Sequence, residues 1–352
     1  MDVTLLLKAL IAIAPVLILL LVFDRLDIFN LVSFRDIGRL LLAGGAIAII
    51  GLFTNTRALD GFPIGFSAYT RYVSPVIEES LKAIPILVMF ATNRLGFKLD
   101  SAIAGFAIGA GFSVVENGWF LSTLADANFS AWLVRGFGTA IMHGGATALF
   151  AVISHEFTEH QAEANAAGYK FDALLFLPGL AAAIFVHSAF NHFPGQPLLA
   201  MTLTLLLVPL TLFIVFMRSE RASHIWIQKD HDAHRRALED IRSGRFATSE
   251  AGTAIAQLTE KIRIADAADV FAYAELKTEL VLRAEEIMLA RENGVVIEIG
   301  AEERAKFVRL DGLEQRLGNA VMAAIGPSLG FSRNDLWDLS RLRQSAFKKP
   351  RR

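Results

Sequence analysis

The chain has 352 residues, of which 54% are hydrophobic and only 20% charged, with a mean hydropathy of +0.46 and a net charge of −1. That balance excludes a global basic field for nucleic acid. The absence of cysteine excludes disulfides, iron–sulfur clusters, thiolate zinc sites and a cysteine nucleophile.

Charge is split along the chain. Residues 1–217 carry 11 Lys/Arg and 14 Asp/Glu, whereas residues 218–352 carry 23 and 21. The first part is poorer in charge than a soluble domain, and the second has the composition of soluble helix. Apolar runs long enough to cross a bilayer recur at 3–23, 38–53, 74–92, 101–121, 133–155, 172–192 and 197–217. The first run lacks a basic n-region and a small-x-small cleavage site, so it reads as a retained helix rather than a signal peptide. The expected fold is all-α: a polytopic transmembrane bundle of about seven helices over 1–217, then a soluble helical domain over 218–352.

Seven crossings put the two ends on opposite sides. Loops on the C-terminal side hold Arg25, Arg35, Arg39, Arg94, Lys98 and Lys170, followed by Arg218 and Arg221; the opposite loops hold Arg57, Arg71 and Arg135. This asymmetry predicts an external N-terminus and a cytoplasmic C-terminus.

Four of the apolar runs carry polar groups that lipid would not tolerate unpaired. In the third run, Ser74 is placed to cap the helix and Pro75 suits its first position. Glu78 and Lys82 then share a face, with Glu79 turned about 100° away. Pro85 is expected to bend this helix. The fourth run holds a Gly105/Gly109 face for close helix approach, then Glu116 and Asn117. The fifth holds His143, flanked by Thr139 and Thr147, and the sixth holds His187 and Asn191. At 1.5 Å per residue, Glu78, Glu116, His143 and His187 fall roughly 6–15 Å below the outer surface. Singly, a histidine here reads as a hydrogen-bonded core residue and Asn191 as interhelical glue. Four helices delivering carboxylates and imidazoles to one layer read as a site. His155, His160 and His192 fall near helix ends or loops and are expected to be solvated. Ser80, Ser113 and Ser188 form no triad pattern.

The motifs resemble a family. Glu78-Glu79-Ser80-Leu81-Lys82 is similar to the EExxK signature of PrsW-type intramembrane proteases, and Phe112 to Asn117 to their FxxxEN segment. His143 and the His187/Asn191 pair follow in order on later helices. The group is also related to the CAAX prenyl endopeptidase superfamily, from which the chain departs in its earlier lysine and in Glu116 where that group has histidine. The resemblance implies a bacterial inner-membrane peptidase acting on a membrane-anchored substrate of anti-sigma-factor type. Under it Glu78, Glu79, Lys82 and Asn191 are catalytic candidates.

Two chemistries fit these residue types. Glu116, His143 and His187 would bind zinc as a His₂Glu set with an open position, with Glu78 or Glu79 as general base. Without metal, Glu78 or Glu79 and a histidine would activate water, with His187 and Asn191 supporting the oxyanion, as the resemblance to the CAAX enzymes implies. A different class, an ion- or proton-coupled transporter, would use the same layer but should show paired repeats, and none is visible. A membrane scaffold would leave the polar layer unexplained.

The tail carries stripes at Leu276, Leu280, Ala284 and Ile287, ended by Asn293–Gly294, and at Leu310, Leu313, Leu317 and Val321. These predict a small helical core serving a cytoplasmic protein partner, with a basic end at 348–352 facing solvent or anionic lipid.

Overall fold

The structure, a computed structural model, describes residues 3–26, 33–92, 94–123, 127–164, 171–249, 252–253, 255–257, 267–292, 295, 297–326 and 329–347. Lys170, Asn293, Gly294 and the basic end 348–352 lie outside the described residues. The described residues contain helices and no strand. The chain divides into two compact units, one of Met1–Thr158 with Phe171–Glu220, the other of Glu159–Lys170 with Arg221–Arg352.

The first unit is built from α1 (Val3–Leu26), α2 (Phe34–Gly61), α3 (Ser74–Ala91), α4 (Lys98–Thr123), α5 (Ala140–Ala164), α6 (Leu177–Asn191) and the start of α7 (Pro197–Arg242). Among the described residues, five stretches are long and apolar enough to cross a membrane: Phe34–Gly61, Lys98–Thr123, Phe129–Gln161, Ala173–Asn191 and Pro197–Val215. The apolar stretch of α1 is shorter, Leu6–Val22, and α3 is set apart by Glu78, Glu79 and Lys82. The seventh run was expected to end near 217. No glycine interrupts the chain between Gly195 and Gly244, and α7 runs on to Arg242. Gly244, at φ 78°, supplies the left-handed residue that stops it.

Two helices enter through a π turn. Tyr69–Val73 leads into α3, and Arg135–Thr139 leads into α5. Because the helix is already under way at Ser74, that residue does not cap it; its hydroxyl turns to Glu78 instead. Single π turns inside α-helices concentrate at functional sites.

The centre of the unit is α4, in which every residue from Leu99 to Ser113 is buried. Glycines on two of its faces let neighbouring backbones touch it. A Cβ at Gly105 or Gly109 would meet the backbone of α5 at Thr147 or His143, and one at Gly111 would meet Leu41 of α2. The Gly105/Gly109 face therefore packs where the sequence placed it, against the helix that carries His143. Close approach also closes the C-terminal half of α5. His155, expected to be solvated, is 2% exposed and bonds Ser101 Oγ through Nδ1 at 2.8 Å. His160 and His192 are exposed.

The second unit holds α8 (Ala267–Glu292), α9 (Ala301–Ile325) and α10 (Arg333–Ala346). Leu276, Leu280, Ala284 and Ile287 of α8 pack with Leu310, Leu313, Leu317 and Val321 of α9 in one core, joined by Leu342 and Ala346 of α10. Both stripes read from the sequence are thus inside it.

The glycine contacts yield a stability prediction. Gly109→Val should destabilise the first unit by about 1–3 kcal/mol, the range for overpacking, because its side chain meets backbone rather than a movable side chain. Gly118→Ala, with nothing within 4 Å of its Cβ, should leave the midpoint almost unchanged. Denaturation in mild detergent measures both, and equal midpoints would refute the close-approach account.

Candidate active site

Lys82 is fully buried, and its Nζ lies 2.5 Å from Glu79 Oε1, itself on a side chain 1% exposed. The sequence put Lys82 on the face of Glu78, four residues back. The closed ion pair instead uses Glu79, three back. Glu78 turns toward α2, where its Oε1 accepts from Ser74 Oγ at 2.6 Å and from Asn55 Nδ2 at 3.0 Å. Tyr69, in the π turn, donates its hydroxyl to Asn55 Oδ1 at 2.8 Å and so holds that amide in place. The other oxygen of Glu78, Oε2, is buried and has no hydrogen-bond partner.

The two histidines meet beside this pair. The rings of His143 and His187 lie edge-on, 4.8 Å between centroids, and both residues are buried. His187 Nδ1 is 2.7 Å from Glu79 Oε1. A carboxylate only accepts, so Nδ1 carries the hydrogen and Nε2 presents its lone pair. That Nε2 lies 3.9 Å from the unpartnered Glu78 Oε2, too far for a hydrogen bond. His143 Nδ1 is 3.0 Å from Lys82 Nζ. An ammonium only donates, so here the hydrogen belongs on Nε2, which faces Glu116 Oε2 at 3.3 Å. Phe112 walls the cluster, with Lys82 Nζ 4.6 Å from its ring centroid.

Glu116 sits at the rim, its side chain 24% exposed, and is gripped by Arg135 at 2.9 Å. Arg135 also donates through Nε to Asn117 Oδ1 at 2.8 Å, and Asn117 Nδ2 donates to the Ala12 carbonyl of α1 at 2.8 Å. Asn191 stands off from the cluster. Its amide donates to the Thr70 carbonyl at 2.9 Å, and Ser188 Oγ donates to the Arg71 carbonyl at 2.6 Å, so both secure the first π turn.

The structure thus brings together Glu78, Glu79, Lys82, Glu116, His143 and His187, and keeps Asn191 one helical turn away. Three residues missed in the sequence complete the set: Asn55, Tyr69 and Arg135. Arg135 was visible only as a loop charge, although a guanidinium at the start of an apolar run is a signal in its own right. Asn55 sits among Thr54 and Thr56 at the end of the second run, a polar triplet without periodicity.

The chemistry of the donors suits a metal ion. Glu78, His143 and His187 each offer a ligand atom, all within 4.8 Å of one another, and all three are buried. Two imidazoles and a carboxylate match a catalytic zinc set, and Glu78 Oε2 is a buried lone pair with no other use. Glu116, the carboxylate expected in that set, is already committed to Arg135 and His143.

No curated protein matches the chain, and no solved structure does. A family model described as "PrsW family intramembrane metalloprotease" matches residues 37–217, more than half of the sequence and the whole of the polar cluster. With that match added to the motif order and the apolar helices, the chain belongs to the PrsW family of intramembrane metalloproteases.

Proposed function

We propose that the chain hydrolyses a peptide bond in a membrane-anchored protein, of anti-sigma-factor type, with water activated at the Glu78, His143 and His187 cluster. The observation that carries this reading is Glu78 Oε2, a buried carboxylate oxygen without a hydrogen bond, set between two imidazoles. Glu78, His143 and His187 would hold the ion, and the donor set favours zinc. Bound there, zinc supplies a Lewis acid for the scissile carbonyl and makes a bound water acidic enough to ionise near neutral pH.

The other residues act on protons and positions. Glu79 accepts from His187 Nδ1 and keeps Nε2 available as a donor atom. Lys82 balances the charge of Glu79; to hold the ion, His143 would give up the Nδ1 bond from Lys82 and keep its Nε2 hydrogen on Glu116. Glu116 touches His143 and faces open space, so it takes the proton of the attacking water and returns it to the leaving amine. The two carboxylates therefore exchange the roles that the sequence suggested, Glu78 becoming a ligand and Glu116 the base. Asn191 supports the turn that delivers Glu78.

A metal-free mechanism has one observation in its favour. The Lys82 contact leaves the His143 hydrogen on Nε2, aimed at Glu116, and such a His–Glu pair can activate water directly. The Lys/Arg asymmetry supports an external N-terminus and a cytoplasmic C-terminal unit; the family supports a bacterial inner-membrane protein, and the exposed charged helices of residues 218–352 suit a module for a protein partner.

Full-length protein in mild detergent separates these readings. Glu78→Gln and His187→Ala should lose bound zinc by elemental analysis and lose cleavage of a quenched single-span reporter peptide. Glu116→Gln should keep zinc and lower kcat by about 10²–10⁴-fold, the usual contribution of a general base. Zinc kept by Glu78→Gln but lost by Glu116→Gln would restore the first assignment. Wild type that cuts without metal and resists chelators would establish the metal-free mechanism. Absence of cleavage, with ion-coupled uptake into vesicles, would establish a transporter.

Orientation has its own test. A reporter enzyme active only outside the cytoplasm, fused after Arg352, should remain silent in cells. A strong signal would invert the protein and move the polar layer to the inner half of the bilayer.

A further inference from the structure

A second group of titratable side chains, three of them buried and His231 half-buried, lies wholly within the unit that contains residues 221–352. His231 and His234 are three apart on α7, Glu285 is on α8, and Asp335 is in the first turn of α10. His234 stands between the carboxylates, with Nδ1 2.6 Å from Glu285 Oε1 and Nε2 3.5 Å from Asp335 Oδ2. His231 Nδ1 lies 3.5 Å from the other oxygen of Glu285. Glu285 and Asp335 are 0% and 1% exposed.

Two features of this group exceed what a helix cap or a packed core requires. First, three polar atoms of these residues are buried without a hydrogen bond: Glu285 Oε2, Asp335 Oδ1 and His231 Nδ1. Secondly, the ion pairs described for Glu285 and Asp335 are with histidines only, with no Lys or Arg among them. Two buried carboxylates without a fixed cation are costly unless something positive joins them.

We propose that His231, His234, Glu285 and Asp335 form a binding site for a divalent transition-metal ion of the zinc class. One ligand atom each from His234, Glu285 and Asp335 falls within 4.8 Å of the others. Metal–donor bonds of about 2.0–2.2 Å put neighbouring ligands roughly 3.3 Å apart in a tetrahedron, so small side-chain turns suffice. Two imidazoles and two carboxylates select zinc, nickel or copper over calcium or magnesium, which take oxygen donors alone. Four protein donors fill a tetrahedral shell, so the site is structural rather than catalytic. The ion would cross-link α7, α8 and α10, three helices brought together around one charge. It is independent of the membrane cluster, which lies in the other unit.

The experiment uses full-length His187→Ala protein in mild detergent, which lacks an imidazole of the membrane cluster. Zn²⁺ is titrated against a chromophoric chelator. One tight equivalent should remain, and adding His234→Gln or Glu285→Gln should weaken it by at least about 100-fold, as loss of a ligand does. Hydrogen exchange across 280–288 and 333–340 should slow with Zn²⁺ in the parent and not in the Gln variants. A variant that misfolds leaves the parent decisive, since Co²⁺ bound in its place should give the visible absorption of a tetrahedral nitrogen–oxygen site. The proposal is overturned if the His187→Ala chain holds no zinc, if Co²⁺ gives no such band, or if the paired Gln variant binds zinc as tightly as its parent. A difference between wild type and His187→Ala reads the membrane cluster alone, so the two sites fail separately.

Discussion

One buried ammonium organises the membrane part of this protein. Lys82 has no exposed surface, and a lone charge at that depth would expel itself or its helix from the apolar interior. It is retained because Glu79 supplies the opposite charge and His143 an acceptor, while the ring of Phe112 lies against it. Such a buried pair adds little net stability over an apolar replacement, but removing one partner is severe. Its return is specificity. Glu79 is shared with His187, so a single carboxylate fixes a lysine on its own helix and an imidazole on α6. Three helices then have one relative arrangement that leaves no charge unpaired.

That arrangement depends on how closely the helices approach. The glycines of α4 remove side chains where α2 and α5 pass, so the backbones of three helices lie in contact. Without that closeness Glu116 of α4 would not reach His143 of α5 at 3.3 Å. The π turns before α3 and α5 add a second adjustment. Each widens the helix by one residue just above a site residue, and each is tied down by a partner: the first by Ser188 and Asn191, the second by Arg135 and Asn117. The irregular backbone is thus buried against side chains that use its freed carbonyls, the condition under which a membrane interior tolerates it.

Much of this was legible in the sequence because lipid makes polarity rare. In a run such as 74–92, a glutamate or lysine is conspicuous, and the period of the helix gives its depth. The stripes of α8 and α9 were legible for the same reason in reverse, through apolar residues at helical spacing. Pairing was less accessible. Residues three and four back are both in reach of Lys82, and partners on other helices separate them: Asn55 draws Glu78 away while His187 meets Glu79. Nothing in the local sequence announces those partners. The partner of Glu116 was hidden for a related cause: Arg135 engages it across helices, and such partners have no fixed spacing. The His234 group was invisible because its members are scattered over three helices and look like ordinary solvated charges.

His187 and Asn191 are one turn apart on α6, and they hold different things: Glu79 of α3 and the Thr70 carbonyl at the head of that helix. Two bonds separated by one helical turn form a ruler. Sliding α6 along α3 by a fraction of a turn breaks both at once, and a shift of a whole turn, about 5.4 Å, sets His187 against Pro75 or Ala83, whose side chains accept nothing. The interface therefore has a single register: it resists gradual shear, and any parting of these helices to admit an extended polypeptide must release both bonds together.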